Sequence, residues 1–80
     1  MKKVDITFNI DPYFFGSTEE ENSKAFAYNL CKNIQKIFMI RVDYDVNPSG
    51  NNYQVRSDDP HLELEISEYI ENNWVNNKTK

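Results

Sequence analysis

From residue 4 to residue 10 the chain alternates without a break, with Val4, Ile6, Phe8 and Ile10 on one side and Asp5, Thr7 and Asn9 on the other. A period of two sends successive side chains to opposite faces, so the segment reads as a half-buried strand. Asp11-Pro12 ends it. Ser17 with Glu20, or Thr18 with Glu21, then has the spacing of a capping box, in which a hydroxyl and a carboxylate satisfy backbone donors at a helix start. From residue 19 to about residue 38, Phe26, Ala27, Leu30, Cys31, Ile34, Ile37 and Phe38 recur every three or four positions, the stripe of an amphipathic helix. Glu19, Glu20 and Glu21 at its start and Lys32 and Lys36 toward its end complement the helix macrodipole, which accounts for them without invoking function.

Alternation returns with Ile40, Val42, Tyr44 and Val46 inward against Arg41, Asp43 and Asp45 outward. It resumes with Tyr53 and Val55 against Gln54 and Arg56. The intervening Pro48-Ser49-Gly50-Asn51-Asn52 is turn chemistry, and the pair is expected to form a β-hairpin. Asp59-Pro60 supplies an N-cap followed by proline at the first helical position. Leu62, Ile66, Tyr69, Ile70 and Trp74 follow at helical spacing, with Leu64 predicted to point outward beside Glu68 and Glu71. Residues 75 to 80 are polar and are expected to fray.

The order is therefore β-α-β-β-α, an α+β domain. With the first strand pairing the third, it predicts a three-stranded antiparallel sheet with two helices on one face, a truncated ferredoxin-like arrangement. That arrangement places the loop at residues 12 to 17, the turn at residues 47 to 52 and Trp74 at one edge of the molecule. Eighty residues make a single domain with a small core, in which a deep enclosed active site is not expected. The single cysteine, Cys31, cannot form an internal disulfide and falls on the apolar stripe, as a small core residue in a reducing compartment would. Met1-Lys2-Lys3 is basic, but no apolar run follows it, and no stretch approaches the length of a membrane span. A cytoplasmic location is expected, and Asn77-Lys78-Thr79 is an incidental match to a glycosylation site.

Several chemistries can be weighed against the residues present. Asp45, Asn47, Ser49 and Gly50 stand at the first, third, fifth and sixth positions of a calcium loop, but the twelfth is Arg56, which would repel the ion. Zinc needs about four Cys or His ligands, and the chain offers Cys31 and His61. Asp43 and Asp45 share a strand face and could act as a catalytic pair, yet Arg41 and Arg56 beside them favour ordinary charge pairing. No phosphate loop, nucleophile elbow or Cys-His constellation is present. Neither a catalytic role nor a cofactor is expected. A net charge of −4 and the lack of aromatics among Asp5, Thr7, Asn9, Gln54 and Arg56 argue against direct nucleic-acid binding by the sheet.

Two features could bind a protein. Residues 58 to 71 carry Asp58, Asp59, Glu63, Glu65, Glu68 and Glu71 with no Lys or Arg. Helical carboxylates three and four apart stand about 5 to 6 Å from each other, of the order of phosphate spacing along a nucleic-acid strand. The bland reading is a solvated helix face; the sharper one is a mimic of nucleic acid that docks on a basic groove. The other feature is Tyr13-Phe14-Phe15, three aromatics in a loop, of which one or two would staple the core end and the rest could contact a partner.

The short single domain, the acidic stretch from 58 to 71 and the absence of a catalytic motif resemble small phage-encoded inhibitors such as anti-CRISPR proteins and other DNA mimics. That resemblance implies a protein partner, a nucleic-acid-binding effector blocked by occupation rather than by chemistry. Arg41, Arg56, Lys32 and Lys36 depart from a uniformly acidic mimic. The competing expectation is a structural or accessory module that self-associates, as a homodimer for instance, through the edges of a three-stranded sheet.

Overall fold

In a computed structural model, residues 3–16 and 19–74 are described, with the side chain of Phe14 outside that set. The elements are β1 (Lys3–Ile10), a 3-10 turn (Pro12–Phe15), α1 (Glu20–Phe38), β2 (Arg41–Asn47), β3 (Asn51–Ser57) and α2 (Pro60–Asn72). The α+β class and the β-α-β-β-α order are as the periodicity predicts. The proposed capping residues Ser17 and Thr18 and the tail at 75–80 lie outside the described residues.

The sheet is mixed rather than antiparallel, with strand order β2-β1-β3. β1 pairs with β3 antiparallel, from Val4 opposite Ser57 to Ile10 opposite Asn51. It also pairs with β2 in parallel, from Lys3 opposite Arg41 to Asn9 opposite Asn47. The expected β2–β3 hairpin is therefore absent, because β1 lies between the two strands. The reason lies in burial. Val4, Ile6, Phe8 and Ile10 are each no more than 1 % exposed, a continuous apolar row that is best covered at the centre of the sheet, beneath both helices. The 19-residue α1 supplies the long crossover that a parallel β1–β2 pair needs.

Residues 48–50 thus do a different job from a hairpin turn, for they pass over the end of β1 to reach its far side. The gap is two strand spacings, about 9 to 10 Å, within the reach of so short a link. Gly50 takes φ +86°, and a Cβ there would come to 3.4 Å from the Cβ of Asn9. Its carbonyl accepts the Asp11 N–H at 2.9 Å, fastening the link to the strand it crosses. Glycine serves this crossing through its backbone angle, since the contact a Cβ would make is an ordinary one.

Both helices lie on one face of the sheet and share one core with it, α1 packing mainly over β2 and α2 over β3. From α1 that core takes Ala27, Leu30, Cys31 and Ile34, and from α2 Leu62, Ile66 and Ile70. Ser23 is the buried polar residue among them, and its hydroxyl donates to the Ile10 carbonyl at 2.8 Å, tying α1 to the central strand. Ile37, expected on the apolar stripe, is instead 57 % exposed. It lies at the margin of the stripe, whereas Phe38, the next residue, packs on the core against Tyr69 of α2. Tyr44, expected inward, is 37 % exposed because β2 is an edge.

Candidate functional site

The aromatic end is built from the 3-10 turn upward. Asp11 caps it by accepting the Tyr13 N–H at 3.0 Å, Pro12 fits the first helical position, and Gly16 closes it at φ 73°. This rigid turn separates its aromatics. Phe15 folds inward against Phe26 of α1, with ring centroids 5.6 Å apart, while Tyr13 stands 75 % exposed. Phe26 meets the Trp74 ring edge-on at 5.7 Å, and Trp74 stacks over Phe8 at 6.3 Å and leans on Tyr53 at 5.0 Å. The predicted meeting of the first loop, the residue 48–50 link and Trp74 is thus present. Phe15 is the core staple and Tyr13 stands at the surface.

The acidic stretch is distributed less simply than its sequence suggests. Asp59 is the α2 cap, accepting from the His61 and Leu62 N–H groups at 3.0 and 3.2 Å. Asp58 and Asp59 line an open groove of about 290 Å³ with Lys3 and Ser57, and Arg56 joins Asp58 and Lys3 in the groove beside it. Cationic side chains thus share these grooves with the two aspartates. With successive residues about 100° apart around the helix, Glu63 and Glu71 fall on the flank over β3 and Glu65 and Glu68 on the flank toward α1. Glu71 accepts the Tyr53 hydroxyl at 2.9 Å, and burial followed by this carboxylate pushes the phenol up to about 12. Glu65 lies 3.1 Å from His61, one turn away.

What faces outward is a diagonal ridge of exposed carboxylates, Glu65, Glu68 and Glu71, each three residues on from the last, beside Leu64 at 59 % exposure. Asp58 and Asp59 are about 18 Å away from Glu71 along the helix, so the structure does not bring the six acids into one patch with Tyr13 and Phe15. It brings Glu71 to the aromatic end through Tyr53 and Trp74. It also brings there a group the sequence reading had set aside: Glu19, Glu20 and Glu21 open α1 beside the 3-10 turn and line a groove of about 450 Å³ with Lys24. No sequence signal links these residues to α2; only the opposed direction of the two helices does.

The open face of the sheet is polar across its width. Asn47 donates to Asn9 at 2.9 Å and Asn9 to Asn52 at 2.6 Å, a row of amides across all three strands. Arg56 donates to the Thr7 hydroxyl at 3.0 Å and, more weakly, to Gln54 at 3.3 Å. Asp43 sits 3.0 Å from Lys3 and 3.8 Å from Arg41, and this bond to Asp43 raises the Lys3 ammonium above its ordinary range. Asp43 is thus a charge-paired surface carboxylate. Asn47, a position of the calcium pattern, spends its amide on Asn9. Among the described residues no three His, Cys, Asp or Glu side chains converge on a point where a metal could sit. Cys31 is 2 % exposed, and burial pushes its thiol up to about 12. No helix among the described residues is long and apolar enough to cross a membrane. No protein-family profile, curated protein or solved structure matches the chain.

Proposed function

We propose that the protein is a small binding inhibitor that occupies the basic surface of a nucleic-acid-binding effector, with the outer face of α2 as its contact and no chemistry of its own. The reading rests on the Glu65, Glu68 and Glu71 ridge, a run of exposed carboxylates at helical spacing in a stretch without lysine or arginine. Leu64, exposed in their midst, offers the apolar anchor that a charged contact needs to become a specific one. Asp58, Asp59 and Glu63 contribute less, being engaged in capping, sharing a groove with cations or half buried. Tyr13 extends the surface at the aromatic end. The likeness to phage-encoded anti-CRISPR inhibitors and DNA mimics belongs to this reading.

The test is retention of bacterial lysate proteins on the immobilised chain, comparing wild type with the triple variant Glu65→Gln, Glu68→Gln, Glu71→Gln. A nucleic-acid-binding protein held at low salt, released by added DNA and lost from the variant supports mimicry. Equal retention by the two forms sinks it.

A further inference from the structure

β2 is an edge strand, paired through β1 alone among the described residues. Its outward backbone groups are identified by Val42, whose N–H turns away from β1 to the Gln35 side chain at 3.2 Å. Strand alternation turns the backbone groups of Tyr44 and Val46 to the same side. Gln35 caps one position of this edge, and an uncapped edge is a template for another strand. Along it stand exposed apolar groups: Tyr44, Tyr28 on the α1 flank above it, and Met39 at 79 % exposure just before it.

We propose that this edge pairs with the same edge of a second copy, antiparallel and centred on Val42. The choice of occupant follows from charge. In a two-fold antiparallel pair, outward-facing residues must lie opposite outward-facing residues, which leaves few registers. Centring on Asp43 sets Arg41 against Asp45 twice but puts two aspartates together on the axis, centring on Tyr44 sets Asp43 against Asp45 twice, and centring on Arg41 puts two arginines together. Centring on Val42 sets Arg41 against Asp43 twice, once on each side of the axis. That register joins opposite charges and opposes no like charges. The two Gln35 bonds are exchanged for strand bonds, and the product is a continuous six-stranded sheet with the α2 faces at its far ends. Being on the opposite edge from α2, the contact neither uses nor blocks the surface proposed above.

Sedimentation of the full chain from micromolar to millimolar concentration tests it. Arg41 and Asp43 are exposed, at 68 % and 44 % of their side chains, so charge changes there leave the core alone, which circular dichroism checks. Wild type should associate to a dimer. Arg41→Asp, which sets like charges across the axis on both sides, should weaken it by about tenfold or more. Arg41→Asp with Asp43→Arg should restore it, because the swap re-forms both pairs and keeps Lys3 beside a carboxylate at its register partner. A monomer throughout, a dimer indifferent to Arg41→Asp, or a swap that fails to restore would each overturn the proposal.

Discussion

The indole N–H of Trp74 donates to the side-chain oxygen of Asn51 at 2.7 Å. This bond joins the residue just beyond α2 to the first residue of β3, where the link over β1 lands. It orients an indole that is 6 % exposed and touches Phe8, Phe26 and Tyr53. The end of the core is closed by one ring whose position depends on one amide.

Asn51→Ala should lower the unfolding free energy by about 1 to 2 kcal/mol, because it strands a largely buried N–H. Trp74→Phe should cost a similar amount and Trp74→Ala about 3 to 5 kcal/mol. Urea denaturation of Asn51→Ala, Trp74→Phe and the double variant checks the link, since the second change should add little once the first has removed the bond.

Met39 ends α1 at φ 56° and ψ 49°, the left-handed region, with its side chain 79 % exposed. Glycine relieves the steric penalty at such a position. Met39→Gly should raise stability by about 0.5 to 1 kcal/mol, measured as a shift in the denaturation midpoint.

Alkali should destabilise the fold through Cys31 and Tyr53. Burial raises the Cys31 thiol from 9.0 to about 12, and burial with the Glu71 carboxylate raises the Tyr53 phenol from 10.0 to about 12. In both the folded state holds a proton that the unfolded chain has lost. The stabilisation is therefore complete below pH 9 and declines as pH rises from 9 toward 12. Denaturation midpoints taken across that range should fall, and the fall should be shallower in Cys31→Ala. A thiol reagent at pH 8 should leave Cys31 unmodified until the protein unfolds.

Tyr13→Ala should change the denaturation midpoint by no more than about 0.5 kcal/mol in free-energy terms, since the ring stands clear of the core. Phe15→Ala should cost about 2 to 4 kcal/mol. Comparing the two separates the contact residue of the loop from its staple, and only Tyr13→Ala should weaken partner retention without loss of folded protein.

The elements were legible because each carries its own period. The strict alternation of β1 leaves no competing reading, and at α2 the extension of the helical spacing through Tyr69, Ile70 and Trp74 outweighs the strand-like alternation of residues 62–66. Strand neighbours were legible in part, for the antiparallel pairing of β1 with β3 is as expected and the parallel pairing of β1 with β2 is not. Pro48-Ser49-Gly50 suits a tight turn and a link across a strand equally well, since turn chemistry reports local backbone angles and not what lies beneath. The clue was the depth of the β1 row, whose four inward residues outrank the inward residues of β2 and β3 in apolar bulk. The candidate site followed the same rule. Leu64, Glu68 and Glu71 could be placed on the outside of α2 by helical spacing. The grouping of Asp58 with Lys3 and Arg56, and of Glu19, Glu20 and Glu21 with the aromatic turn, needed the fold, because the residues involved are distant in sequence.

With β1 central, the first strand made has no neighbour close to it along the chain. Lys3 waits for Arg41 and Ile10 for Asn51, sequence separations of 38 and 41 by subtraction. No short hairpin can nucleate the sheet, so loop closure must precede any strand pairing. During synthesis α1 can cover the apolar face of Val4, Ile6, Phe8 and Ile10, but β1 has no strand partner until β2 has left the ribosome. Its antiparallel partner is complete only when residue 57 has emerged. The domain should thus fold as a unit late in its own translation, at the pace of non-local β proteins rather than of its helices.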